Sequence, residues 1–266
     1  MKPAVFALLL FALSPVALAQ APDPLDALIA SYEAHVRQSD PDQAADSNDL
    51  EPRHWRDVAP ETIAVRASAA RTLLAKIEAA ETARKVDQAI LTRLLKDEIN
   101  DFRFDSARIP FTGDWGFQAE PLFASMRLRI RTSEEAEAWI ARLNDVPRYF
   151  AQNRENMMRG IATGWTAHPD PLGTVRAQIA AQVVDDVAES ELYRPFREMA
   201  DSIDPESRLR LQAAGLEAAG RAVAAYRETL EFIDGTYAPE ARKGAGIASL
   251  KDGRKVYASL IEAHTA

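Results

Sequence analysis

Apolar residues recur at helical spacing along most of the chain, and residues able to cap helices punctuate them. Asp23 followed by Pro24 predicts an N-cap and a first helical position, with Leu25, Leu28, Ile29, Tyr32 and Val36 on one face. Residues 40–60 offer only Leu50, Trp55 and Val58 as anchors among acids and prolines, so a long surface loop containing a short helical turn is predicted there. Two helices follow, over 61–80 and 82–102. The first presents Ile63, Ala67, Ala70, Leu74 and Ile77, and the second Val86, Ile90, Leu94 and Ile99.

Between Phe102 and Arg131 the helical period fails, and aromatics cluster with Gly and Pro. Order returns at Thr132-Ser133-Glu134-Glu135, a capping-box signature, with Ala136, Trp139, Ile140 and Leu143 inward. Pro147 then predicts a restart, followed by a helix through Tyr149, Phe150, Met157 and Ile161 that ends near Gly164. A further helix spans 172–187 along Val175, Ile179, Val183 and Val187, and a brief one covers 193–199. Asp204 and Pro205 open a long central helix in which Leu209, Leu216, Val223 and Leu230 repeat every seventh residue beside Ala219, Tyr226 and Ile233. An intermolecular coiled coil is the rival explanation of that repeat. Asp252 opens a final helix bearing Val256, Tyr257, Leu260 and Ile261, an apolar stripe with no later element to cover it. No alternation of period two persists, so the expected architecture is an all-α, irregular multi-helix bundle with long loops and little or no sheet.

Composition narrows the function classes. With 266 residues, 47% of them hydrophobic and 27% charged, the chain is long enough for a substantial core. A single helical domain over 20–266 is expected. The net charge of -8 supplies no broad positive field, which argues against a nucleic-acid partner. Lys2, the apolar run 4–13 and the small-x-small sequence Ala17-Leu18-Ala19 read as a secretory signal over 1–19, cleaved after Ala19. A retained membrane anchor is the competing reading. Cleavage would leave a periplasmic or secreted chain with no membrane segment. The absence of Cys excludes thiol catalysis and disulfide support.

Candidate chemistry is sparse. His35, His54, His168 and His264 are widely separated, and no His-Glu-x-x-His occurs, so each reads as a surface or loop histidine and no metal ligand is assigned. Asp40, Asp42, Asp46 and Asp49 lack calcium-loop spacing and its Gly, which favours a solvated linker. Asp185 and Asp186, like Glu134 and Glu135, are helix neighbours that face different ways. No catalytic residue is assigned. The most suggestive cluster is Phe111-Thr112-Gly113-Asp114-Trp115-Gly116-Phe117, where a hydrophobic plug and a ligand contact are both open readings. Trp115, Phe117 and Trp165 are the candidate substrate-binding residues.

Several stretches together resemble the N-terminal half of the bacterial family called domain of unknown function 885. They include Asp101-Phe102-Arg103-Phe104 with Pro110-Phe111, residues 132–150, residues 158–165, and Tyr193-Arg194-Pro195-Phe196. Ala225-Tyr226-Arg227, residues 237–242, residues 246–253, Tyr257 and His264-Thr265 continue the likeness in order. The resemblance implies a helical, often exported metallopeptidase-like protein acting on peptides, whose zinc-binding His-Glu motif lies in the half that follows. It therefore implies zinc for full-length members but no zinc ligand or catalytic residue within these 266 positions. The expectation is a non-catalytic, truncated portion, inactive alone, that contributes scaffold and a cleft wall. The alternatives are a free-standing periplasmic helical binding protein and an enzyme built from scattered carboxylates.

Overall fold

The computed structural model describes residues 23–46 and 51–265. The secretory-signal reading, the mature start and Asp49 fall outside the described residues. Within them the chain forms ten α-helices joined by short 3-10 and π turns, with one isolated bridge between Phe111 and Gly116 in place of any sheet. The fold is all-α.

Three helices near the start make a small bundle. Helix α1 (Pro24–Ser39) is capped by Asp23, whose carboxylate accepts from the Leu25 amide at 2.8 Å. Helices α3 (Pro60–Glu78) and α4 (Lys85–Phe104) run antiparallel, joined by Gln88 donating to the Ile77 carbonyl and by Arg66 facing Glu98. Leu25, Ala70, Leu73, Ile77, Leu91 and Leu95 form the core of this bundle. The inward face of α4 is therefore that of Leu91 and Leu95; of the expected stripe Ile99 packs on this core, while Val86, Ile90 and Leu94 are exposed.

The larger core is organised by α6 (Ser133–Thr163) and α9 (Pro205–Phe232). Arg210 faces Glu137, Arg221 donates to Asn144, and Arg154 donates to Thr229, so the two long helices run parallel. Thr132 and Glu135 close the capping box of α6, and Gly164 ends it with φ 70°. Pro147 lies inside α6 and does not restart it. The missing N–H leaves the Leu143 carbonyl without its helical donor, a local cost overridden because Leu143, Val146, Tyr149 and Phe150 are all buried around that turn.

In helix α9 the expected face holds at Ala219, Val223, Tyr226, Leu230 and Ile233 but fails over the first half. Leu209 and Leu216 are exposed, while Leu211, Gly215, Ala218, Ala219, Ala222 and Val223 face inward. Small residues form this contact because neighbours come very close: a Cβ on Gly215 would sit 2.6 Å from the Phe196 ring.

The crossover from α6 to α9 holds α7 (Pro169–Ala180) and α8 (Arg194–Arg197). Helix α7 starts three residues earlier than expected because His168 caps it, and it stops before Val183 and Val187, which pack against the core from loop and 3-10 positions. Helix α2 (Pro41–Asp46) and the unpredicted α5 (Glu120–Arg127) complete the layer over α6. At the far end α10 (Gly253–Thr265) buries Val256 against Trp165 and Leu250, and Arg93 donates to the Glu262 carbonyl. Tyr257, Leu260 and Ile261 are exposed. No helix among the described residues is long and apolar enough to cross a membrane.

Candidate functional site

Residues 51–59 form a loop with mostly exposed side chains, as their polarity suggests, and Trp55 and Val58 anchor it to the core. Trp55 is only 4% exposed. Its ring stacks on Tyr149 at 5.7 Å and carries the Arg142 guanidinium 3.9 Å from its centroid. Its indole N–H donates to the Arg142 carbonyl at 2.9 Å. One face of α6 holds the backbone of this segment: Asp145 accepts from the Trp55 amide, Arg148 donates to its carbonyl, Gln152 accepts from the Val58 amide, and Asn156 donates to the Val58 carbonyl. Spacings of three and four residues bring these side chains onto one stripe. An extended segment that pairs with no strand thus has partners for its polar groups.

Between this segment, α5 and α6 lies a cavity of about 350 Å³ whose lining includes Trp115, Phe117, Glu120, Arg127, Arg142 and Tyr149. The Phe111–Gly116 bridge fixes the aromatic wall, and a Cβ on Gly116 would lie 2.5 Å from the Cβ of Phe111. Phe117 is buried edge-on against Phe150 at 5.1 Å, while Trp115 stays half exposed with one face stacked on Phe123 at 5.0 Å. The two rings differ: Phe117 is a buried plug, and Trp115 presents surface to the cavity.

The polar wall is a set of ion pairs with two exceptions, Glu120 and Arg127. Asp40, besides accepting from the Asp42 amide, pairs with Arg56 at 2.6 Å, and Asp42 pairs with Arg142 at 2.7 Å. Asp40 is thus a mostly shielded structural partner, while Asp42 stays solvated as expected and also pairs with Arg142. Glu120 has no basic partner: one carboxylate oxygen accepts from the Tyr149 hydroxyl at 2.7 Å, and the other has no hydrogen bond among the described residues. It opens α5, where free helix N–H groups favour negative charge. Burial nonetheless outweighs that help and pushes its carboxyl above the ordinary range, only partly opposed by Tyr149, Arg56 and Arg142. Burial and the neighbouring carboxylate likewise raise the Tyr149 hydroxyl, which stays protonated and donates. Arg127, the other charge in the lining without an ion-pair partner, is exposed.

Sequence reasoning singled out Trp115 and Phe117 but missed Trp55, Glu120, Arg142 and Tyr149. Trp165 is elsewhere: it is 7% exposed, lies under the Arg108 guanidinium at 4.4 Å and packs with α10, outside this cavity's lining. Among the histidines, His35 is not a simple surface group, since its ring is 90% buried and bonds Glu98 at 2.8 Å. His54 and His264 are exposed, and His168 caps α7. Among the described residues no group of three or more His, Asp or Glu side chains is placed to hold a metal ion.

Fold and cavity together define an all-α protein with an aromatic, mixed-charge cleft on its α5–α6 face. A family model described as bacterial protein of unknown function, DUF885, matches residues 41–266, and the chain belongs to that family. Among solved structures it is similar to the crystal structure of the putative lipoprotein from Colwellia psychrerythraea, with a TM-score of 0.73 at 15% identity. The match covers 89% of this chain and 45% of the Colwellia chain, so the likeness is one of fold and the present chain spans under half of that protein. None of the curated proteins matches this sequence.

Proposed function

We propose that this chain supplies the scaffold and one wall of a peptide-binding cleft in a larger, exported protein of metallopeptidase type, and has no hydrolytic activity by itself. The observation that carries the reading is the cavity in which half-exposed Trp115 adjoins the unpaired carboxyl of Glu120, within a chain matching 45% of its structural relative. Clefts that join aromatic surface to a few convergent polar groups are the usual form of small-ligand and peptide sites. The exposed stripe of Tyr257, Leu260 and Ile261 supports a second body packing there. The secretory pattern at 1–19 supports export, and zinc would belong to the portion carrying the His-Glu motif that the family resemblance implies.

Benzophenone-bearing peptides mixed with the purified chain test this reading. Cross-links should map by mass spectrometry to α5, the Trp115 loop and the 51–59 segment, with no new amino termini released from the peptides. Scattered cross-links, or cleavage by the chain alone, would contradict it. A second reading, a free-standing binding protein, is favoured by the extensive core that the chain completes from its own residues. It predicts the same cross-links with the α10 stripe covered by a second copy, which sedimentation of the Ile261→Asp variant against the parent would reveal.

A further inference from the structure

The geometry points to Glu120 as the recognition group for a primary ammonium, carried by a ligand whose adjoining apolar part lies on the free face of Trp115. The inference rests on the cleft-wall reading and specifies which end of a peptide, or which side chain, enters the cavity.

The argument begins with the charges. Asp40 with Arg56 and Asp42 with Arg142 are closed pairs at 2.6 and 2.7 Å, which leaves Glu120 and Arg127 without ion partners in the lining. Arg127 is solvated and loses little by standing alone. Glu120 is mostly shielded from water, and Tyr149, Arg56 and Arg142 compensate its ionised form only in part. Its single hydrogen bond comes from Tyr149, which leaves one oxygen free to accept an N–H. A guest that restores the balance must therefore bring positive charge and a hydrogen-bond donor to one point.

The surroundings restrict its chemistry further. Among the described residues Glu120 belongs to no group of three or more carboxylates or imidazoles placed to hold a metal, so a divalent ion would find fewer protein ligands than its coordination needs. An ammonium needs only one or two acceptors and also gains from an aromatic face. Trp55 has both faces occupied, by Tyr149 and Arg142, and Phe117 is packed against Phe150. Trp115 has one face on Phe123 and stays half exposed, which makes it the ring with a side to offer. A volume of about 350 Å³ accommodates an ammonium and one attached side chain, and excludes a folded domain. A group held at local cost in a cavity is also where function commonly resides.

Titration calorimetry of the full chain with three probes tests the assignment: the tripeptide Phe-Ala-Ala with a free amino terminus, its N-acetylated form, and N-acetyl-Lys-Ala-Ala. The free tripeptide should bind at least about tenfold more tightly than its acetylated form, and Glu120→Gln should abolish that preference. Equal binding of N-acetyl-Lys-Ala-Ala would identify a lysine side chain as an alternative source of the ammonium, while its failure would assign the site to the peptide amino terminus. Equal affinity for the free and acetylated tripeptides in the parent chain overturns the inference and leaves the cleft wall standing. Absence of any binding overturns both. Because the first comparison varies the ligand, the result does not depend on how Glu120→Gln folds, and circular dichroism of that variant checks the second.

Discussion

Replacing Trp55 by alanine tests the claim that this side chain anchors the 51–59 loop in the core. The side chain is 4% exposed, stacked on Tyr149 and overlaid by Arg142. Aromatic side chains bury about 150–250 Å², worth about 4–6 kcal/mol at about 25 cal/mol per Å² of area removed from water. The unfolded chain already hides part of that surface, which brings the expected loss to about 3–5 kcal/mol, the usual range for Trp to Ala in a core. Loss of the 2.9 Å bond to the Arg142 carbonyl adds little, because that oxygen retains its helical donor. Trp55→Phe keeps a ring and loses the donor and some volume, for about 1–2 kcal/mol. Urea unfolding followed by far-ultraviolet circular dichroism measures both variants. A loss below about 1 kcal/mol for Trp55→Ala would be the behaviour of a surface loop and would refute the reasoning.

Other substitutions test other elements. Pro147→Ala restores a helical N–H within α6 and should stabilise the chain by about 1–2 kcal/mol, the difference between an interior-proline cost of about 3 and an unfolded-state advantage of about 1; destabilisation would show that the turn depends on the proline. Glu120 has its folded-state carboxyl raised, so its favourable contribution is complete below the unfolded value and is lost as pH climbs through the folded one. Glu120→Gln should therefore match the parent near pH 4 and exceed it in stability at pH 8, and parallel unfolding curves for the two proteins across that span would contradict the burial argument. Gly116→Ala, which meets Phe111 at 2.5 Å, should destabilise by about 1–3 kcal/mol, whereas Gly173→Ala, which meets nothing within 4 Å in α7, should stabilise by about 0.5–1 kcal/mol; thermal melts of the pair decide.

The helix boundaries were legible where a local group satisfies the backbone: Asp23, the Thr132–Glu135 box, Gly164 and Asp204 all act where their types suggest. Inward faces were less legible because hydrophobicity and contact diverge. In α9 the Phe196 ring leaves room only for a glycine at 215, alanines fill other inward positions, and Leu209 and Leu216 lie outside. In α4 apolar residues occur around much of the helix, so spacing alone did not distinguish Leu91 and Leu95 from Ile90 and Leu94. The cavity was half legible. Its aromatic loop stands out as an irregular stretch, but Glu120, Arg142 and Tyr149 come from separate elements, and only the tertiary placement of Trp55 on α6 assembles them. Pro147 misled because a strong local preference was overridden by burial on both sides of it.

Four tryptophans permit a direct test of the cleft wall. With 5-fluorotryptophan incorporated and each resonance assigned by substitution to phenylalanine, a titration with free-amine peptides should shift the fluorine signal of Trp115, with a smaller response at Trp55. Trp139 and Trp165, buried away from the Trp115 cavity, should stay in place. Movement of Trp165 with Trp115 unchanged would contradict the account.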